Sequence, residues 1–250
     1  MSALLSIILI GFLLGMRHAT DADHVIAVTT IVTHRNSVRQ AALIGALWGL
    51  GHTITIFLVG TAIILFSVVI PVRIGLTMEL SVGFMLILLG VLNLTGAMRR
   101  ISERFAPPST MQTEGKNEVG APTVSERSNR HWPTRPHVGL FHTLRPLCVG
   151  VLHGLAGSVA VALLVLTTIH NPWWALAYLL VFGFGTVAGM MLITTAIAMP
   201  IAYSTNRFAG CSHMLTVASG ALSIAFGCYL SYQIGLVDGL LTAHPHWTPR

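Results

Sequence analysis

The sequence predicts an all-α membrane protein with about six transmembrane helices, arranged as two inverted three-helix repeats that are joined by a cytoplasmic linker. Of its 250 residues, 54% are hydrophobic and only 9% are charged, whereas a typical soluble domain is roughly 25% charged. Six apolar segments also exceed the length of about 20 residues that one bilayer crossing needs. The composition therefore argues against a water-soluble fold.

The six apolar segments follow one another along the chain. They occupy residues 2–33, 41–69, 74–98, 144–169, 173–199 and 214–234. The first segment carries ionisable residues near its middle, yet neither of its apolar parts, residues 3–16 and 25–33, could cross a membrane alone. We therefore expect one helix with a charged centre in this segment.

A polar stretch, residues 99–143, separates the third and fourth segments and is rich in proline, serine and charged residues. Such a composition is typical of a disordered linker. It divides the chain into a first three-helix membrane repeat at residues 1–98 and a second, inverted repeat at 144–236. Residues 237–250 would form an external tail.

Lys and Arg residues are distributed unevenly between the two sides that six crossings define. Eleven of the 14 lie on the side of the linker, while Arg73 and Arg250 lie on the other and Arg17 lies within the membrane. By the positive-inside rule, the linker is cytoplasmic and both termini face outward across the cell (inner) membrane. The net charge of +6 thus reflects loop orientation, and no nucleic-acid partner is expected.

The two halves resemble each other when they are shifted by about 135 residues. Residues 15–18 match residues 150–153, residues 48–51 match 182–185, and Gly83 and Gly90 match Gly220 and Gly227. Because each half has three spans, an odd number, the second half must be inverted, as in many secondary transporters. These glycines would also allow close helix packing in the absence of a repeat, and the two interpretations are compatible.

The strongest local signal is a cluster of two carboxylates and two imidazoles within the first apolar segment: His18, Asp21, Asp23 and His24. Each charge at the bilayer centre costs roughly 2.5–3.5 kcal/mol on insertion scales, so the cluster indicates a functional site. On a regular helix Asp23 would point away from the stripe formed by the other three. All four side chains can meet one ion only if the helix unwinds locally.

The types of side chain in this cluster predict a divalent transition metal. Imidazole suits nickel, copper, zinc and iron, and carboxylates neutralise the charge of the ion. His52 and His153 lie on other predicted helices near the membrane centre, and we expect them to be further ligands. Two alternatives stay open: the cluster could be a salt bridge that holds helices together, and His52 or His153 could be a hydrogen-bond donor between helices.

Residues 17–24, Arg-His-Ala-Thr-Asp-Ala-Asp-His, resemble the RHAxDADH signature of the nickel/cobalt transporter family. The Gly51-His52-Thr53 sequence is similar to the GHS element in that family's second helix. The resemblance implies secondary uptake of Ni²⁺ or Co²⁺, with the signature residues His18, Asp21, Asp23 and His24 as metal ligands.

The chain also departs from that family in three respects. Thr29-Thr30 stands where the family usually has Asp-Asn, six predicted helices replace the usual eight, and residues 153–158 replace an LGFDT element. These departures make the chain more similar to the compact, urease-accessory type of nickel permease.

We therefore expect a secondary transporter for a divalent transition metal, with Ni²⁺ as the first candidate substrate and Co²⁺ as the next. The metal is the transported substrate, and no cofactor or enzymatic activity is expected. The expected partners are the lipid bilayer and, on the cytoplasmic side, proteins that mature a nickel enzyme such as urease. Three alternatives stay open: a metal efflux permease, an intramembrane metalloenzyme, which would lack an HExxH motif, and a sensor or assembly subunit for a nickel enzyme.

Overall fold

The structure is a computed structural model that describes residues 2–33, 37–66, 70–97, 144–156, 169, 171–207, 211–242 and 245–246. These residues are almost entirely helical and contain no strand. The helices are α1 (Ser2–His18), α2 (Ala22–Val32), α3 (Val38–Phe66), α4 (Val72–Leu94), α5 (Leu144–Ala156), α6 (Pro172–Arg207) and α7 (Cys211–Tyr232). A π-helical turn, Gln233–Val237, follows α7 directly.

Four helical stretches are long and apolar enough to cross a membrane. They are Val38–Phe66, Val72–Leu94, Pro172–Tyr203 and His213–Val237, and they coincide with four of the predicted spans. Large apolar side chains such as Leu58, Phe184 and Leu192 are exposed on their outer faces, as expected for helices surrounded by lipid. The predicted linker at 99–143, most of the second half of the predicted span 144–169 and part of the predicted tail lie outside the described residues.

The first apolar segment is not the single helix that the sequence predicts. Helix α1 ends at His18, the backbone at Asp21 is extended (φ −59°, ψ 146°), and α2 begins at Ala22. In the break, the backbone N–H groups of Thr20 and Asp21 donate to the carbonyl oxygens of Arg17 and His18. The prediction of one continuous helix is therefore wrong. These short-range hydrogen bonds, in a stretch of polar residues, replace the helical hydrogen-bond pattern.

Glycines allow two pairs of helices to pack with their backbones almost in contact. A Cβ atom at Gly15 of α1 would overlap the carbonyl oxygen of Phe182 in α6, and one at Gly150 of α5 would overlap that of Trp48 in α3. Gly15 and Gly150 correspond in the shifted sequences, as do Trp48 and Phe182. The α1–α6 and α3–α5 contacts are therefore equivalent in the two halves.

The contact pattern also gives the relative directions of the helices. Helix α1 runs parallel to α6, since Gly11 lies against Tyr178 and Met16 against Gly189. Helices α3 and α6 are antiparallel, with contacts between Gly45 and Thr194, Gly49 and Val187, and Thr53 and Gly183. Helix α5 runs parallel to α3, since Gly150 lies against Trp48 and Gly154 lies against His52. Helices α1 and α5 consequently run in opposite directions.

Helices α4 and α7 form an antiparallel pair in which each of the two matched glycines of one half contacts the counterpart of the other. Gly83 lies against Gly227, and Gly90 lies against Gly220. Further along the same pair, Asn93 Nδ2 donates hydrogen bonds to the Thr216 carbonyl oxygen and to Ser219 Oγ, both at 3.1 Å. Thr30 Oγ1 of α2 donates to the Ser219 carbonyl oxygen at 3.3 Å. We call the hydrogen bonds among Thr30, Asn93, Thr216 and Ser219 the polar seam.

Candidate metal centre

Four histidines and two aspartates gather at the break between α1 and α2. His18 is the last residue of α1, Asp21 precedes α2, and Asp23 and His24 lie in its first turn. His52 lies at the middle of α3 and His153 lies on α5. The structure thus brings together all six candidate ligands, which we call the His/Asp cluster: His18, Asp21, Asp23, His24, His52 and His153.

The two ring nitrogens of His18 have different partners. Nδ1 lies 2.8 Å from Asp21 Oδ2, and Nε2 lies 3.0 Å from His52 Nε2. Two imidazole nitrogens at this distance share one proton between them, or they face an ion. Because His18 ends α1 and His52 is in α3, this contact joins the broken helix to its neighbour.

Asp23 bridges two further histidines. Its Oδ1 lies 3.0 Å from His24 Nδ1 and its Oδ2 lies 2.8 Å from His153 Nε2. The same Oδ1 accepts a hydrogen bond from the His24 backbone N–H at 3.0 Å. A carboxylate that holds an imidazole in this way orients the ring and raises its basicity toward a metal on the other nitrogen. Asp23 therefore lies where it can orient the rings of both His24 and His153.

His24 is the centre of the cluster. Its ring centroid lies 4.1 Å from that of His153, 4.9 Å from that of His18 and 5.1 Å from that of His52. Two sets of donors share it: His18, His24 and His52 form one, and Asp23, His24 and His153 form the other, with the ligand atoms of each set within 4.8 Å of one another. Bonds of about 2.1 Å to a divalent ion place ligand atoms about 3–4 Å apart, so small side-chain movements would close either set on an ion.

Three imidazole nitrogens in the cluster are buried without a hydrogen-bond partner: His24 Nε2, His52 Nδ1 and His153 Nδ1. The three residues are 2%, 0% and 2% exposed. A buried polar atom without a partner costs roughly 1–3 kcal/mol, and native proteins leave few of them. The unpaired nitrogens on these three neighbouring rings are available as donors to a metal ion.

Trp48 forms one wall of the cluster and was not among the predicted site residues. Its ring is fully buried, stacks on His24 at 6.1 Å and 16°, and meets His153 edge to face at 5.7 Å. Trp48 precedes His52 by four residues, so both lie on the same face of α3. That spacing was a signal in the sequence from which Trp48 could have been found.

A cavity of about 440 Å³ opens beside the cluster. It is lined by His18, Asp21, Ala22, Asp23, His24, Glu79, Val82, His153, Ala156, Phe226, Tyr229, Leu230, Gln233 and Ile234. Glu79 was also missed from the sequence, although it is the only charged residue in the predicted span 74–98. An ionisable residue in a membrane span is by default a candidate for function.

Comparisons with known proteins agree with this chemistry. A family model described as high-affinity nickel-transport protein matches residues 4–240. The chain is 32% identical over 246 residues to the urease accessory protein UreH of Bacillus sp. (strain TB-90), covering 95% of both chains. It is 25% identical over 219 residues to the chloroplast protein FOR GROWTH AND FERTILITY 1 of Arabidopsis thaliana, covering 87% of this chain and 56% of that protein. No solved structure matches the chain.

Proposed function

The chain belongs to the family of high-affinity nickel-transport proteins, and from that premise we propose that it is a secondary transporter that carries Ni²⁺ into the cell, with Co²⁺ as a second substrate. It is a multi-pass membrane protein and a transporter rather than an enzyme, and nickel is its substrate rather than a cofactor. The direction of transport, the use of Co²⁺ and the ligand set are the parts that we propose.

The observation that carries the proposal is the gathering of three buried histidine rings, His24, His52 and His153, each with an imidazole nitrogen that has no hydrogen-bond partner. Nitrogen donors with carboxylate neighbours suit Ni²⁺ and Co²⁺, whereas Mg²⁺ and Ca²⁺ prefer all-oxygen sites. We propose that His18, Asp21, Asp23, His24, His52 and His153 form the transport site. In it, the four rings supply nitrogen atoms, and the two carboxylates supply oxygen atoms, orient the rings and offset the charge of the ion.

We further propose that the transporter consists of two inverted three-helix repeats. Support comes from the equivalent contacts of Gly15 with Phe182 and Gly150 with Trp48, and from the opposite directions of α1 and α5. The two glycine contacts between α4 and α7, Gly83–Gly227 and Gly90–Gly220, are also exchanged with each other by the shift between the halves. In such transporters the substrate site lies at the repeat interface near the midplane, beside a discontinuous helix. The break between α1 and α2, with His153 contributed by the second half, fits this plan.

Alternating access would follow from a rocking movement of one half against the other around the His/Asp cluster. The membrane potential would drive inward transport, since two positive charges gain about 4.6 kcal/mol per 100 mV. We propose that the linker is cytoplasmic and that both termini face outward, as the distribution of Lys and Arg indicates. Similarity to a urease accessory protein supports delivery of the metal to the maturation proteins of a nickel enzyme such as urease.

Reconstituted vesicles test the transport site directly. The wild-type protein is expected to accumulate ⁶³Ni²⁺ in response to an inside-negative potential, and His52→Ala is expected to lose this accumulation because it removes the partner of His18 Nε2. His213→Ala is the matched control, since His213 is exposed on α7 and lies outside the cluster. Full transport by His52→Ala would contradict the proposed site, and nickel binding without flux in the wild type would favour a sensor.

The direction of transport is tested in a strain that lacks the protein and makes a nickel enzyme. At trace nickel, the deletion is expected to lower the activity of that enzyme, and added nickel is expected to restore it by slower, nonspecific routes. Increased sensitivity of the deletion strain to toxic nickel, with undiminished enzyme activity, would instead indicate efflux and contradict uptake.

A further inference from the structure

The cavity between α2, α4 and α7 offers a second place for the metal. We propose that this cavity is the access vestibule of the transporter, in which Glu79 and Asp21 hold a hydrated divalent cation by its water shell before the ion loses water and enters the His/Asp cluster. This inference rests on the proposed transport function and adds to it a first binding step and a new residue, Glu79.

The cavity has the size that a hydrated ion needs. An ion with six waters at roughly 30 Å³ each occupies roughly 180 Å³, and the cavity measures about 440 Å³. The His/Asp cluster, in contrast, has ligand atoms within 4.8 Å of one another, which leaves no room for a complete water shell. An ion that moves from the cavity to the cluster must therefore exchange water for nitrogen and oxygen ligands.

The lining of the cavity suits a hydrated cation. It includes three carboxylates, of which Asp21 is 52% and Asp23 28% exposed, and the polar side chains of Tyr229 and Gln233. No Lys or Arg is among the lining residues that the structure describes. Carboxylate and amide oxygens accept hydrogen bonds from metal-bound water, and a cleft lined by one sign of charge concentrates the opposite ion.

The cavity reaches the His/Asp cluster. His24 and His153 line it, both are 98% buried, and each has a ring nitrogen without a hydrogen-bond partner. His52 does not line the cavity and lies behind His18 and His24. The set formed by Asp23, His24 and His153 would therefore receive the ion first, and the set that includes His52 would receive it next.

The cavity lies nearer to one end of the helix pair α4 and α7. In α4 it is lined by Glu79 and Val82. In α7 the lining begins at Phe226 and continues into the π-helical turn. Toward the other end, the glycine pair Gly90–Gly220 and the polar seam hold α2, α4 and α7 together. We therefore infer that the ion enters the cavity from the end that carries Arg73, which is the outward end in the proposed topology.

The π-helical turn Gln233–Val237 places two further residues at the cavity. Gln233 and Ile234 belong to both. A π-helical turn adds a residue to the helical period and commonly occurs at functional sites. Gln233 thus lines the same cavity as Glu79.

Glu79→Gln tests the vestibule because it removes the charge and keeps the size of the side chain. In vesicles, it is expected to lower the initial rate of ⁶³Ni²⁺ uptake at trace metal about tenfold, the lower end of the range for charged clefts, and to leave the maximal rate unchanged. Equilibrium dialysis against Ni²⁺ alone is expected to give the same number of tightly bound ions as the wild type. Glu79→Asp should restore most of the rate, and raising the ionic strength should reduce the difference between wild type and Glu79→Gln.

Asp238→Asn is the matched control, since Asp238 follows the π-helical turn but does not line the cavity. Its uptake should equal that of the wild type. An unchanged rate in Glu79→Gln, a loss of one bound Ni²⁺, or an equal fall in maximal rate that salt does not affect would each overturn the vestibule. Failure of the wild type to transport Ni²⁺ would instead overturn the proposed function itself, so the two failures are distinguishable.

Discussion

Replacing Asp23 with alanine is expected to abolish high-affinity Ni²⁺ binding and transport. Asp23 contacts both His24 and His153 through its two oxygens, at 3.0 and 2.8 Å, and so holds the ring of α2 against the ring of α5. Loss of a carboxylate that only orients a ligand typically lowers metal affinity about 10–100-fold. Because Asp23 also belongs to one of the two donor sets, the decrease should exceed about 100-fold. Isothermal titration of the purified protein with Ni²⁺ measures it.

Two further variants separate the roles of Asp23. Asp23→Asn keeps the shape of the side chain but removes its charge, so it should bind Ni²⁺ less tightly than wild type but better than Asp23→Ala. Asp21→Asn should have the smallest effect, since Asp21 contacts only the His18 ring of the cluster and its side chain is half exposed. Wild-type affinity in Asp23→Ala, with the protein folded, would show that the bridge between α2 and α5 is not part of the metal site.

Gly150→Ala is expected to destabilise the protein by about 3 kcal/mol, at the upper end of what overpacking usually costs. The added Cβ would overlap the carbonyl oxygen of Trp48 and lie 2.8 Å from its side chain. Relief of this overlap requires α5 to move away from α3, and His153 would leave the cluster with it. Thermal unfolding of the detergent-solubilised protein should show a lower midpoint, and Ni²⁺ affinity should decrease.

Gly15→Ala is the equivalent change in the other half and is expected to have a similar effect, because its Cβ would overlap the carbonyl oxygen of Phe182. Gly235→Ala is the control: the nearest atom to its added Cβ is 3.7 Å away, an ordinary contact. If Gly15→Ala and Gly150→Ala both unfold at the wild-type temperature, then the close approach of α1 to α6 and of α3 to α5 is not required.

Hydropathy predicted the membrane helices well, and the charged residues within them indicated the site. Four predicted spans coincide with helices of sufficient length, since the length and apolar character of a span are properties of contiguous residues. The single helix predicted across His18 and His24 was wrong. Whether a helix breaks depends on contacts with other helices as well as on its own residues, and here His52 and His153 lie on other helices.

The sequence by itself determined that this is a helical membrane protein and that His18, Asp21, Asp23, His24, His52 and His153 are its candidate ligands. Two further residues stood at informative positions in the sequence. Trp48 precedes His52 by four residues, and Glu79 is the only charged residue in an apolar span. That the six residues of the His/Asp cluster are metal ligands remains a prediction from residue type.

Only the tertiary structure decided how these residues meet. The contact between His18 and His52 joins residues 34 apart, and that between Asp23 and His153 joins residues 130 apart. Such distances cannot be obtained from local pattern, because they depend on how closely whole helices pack. Glycines at positions 15 and 150 permit that packing, and the break after His18 turns Asp23 toward His153. The side chains that charge and hydropathy singled out become one site because the backbones approach each other there.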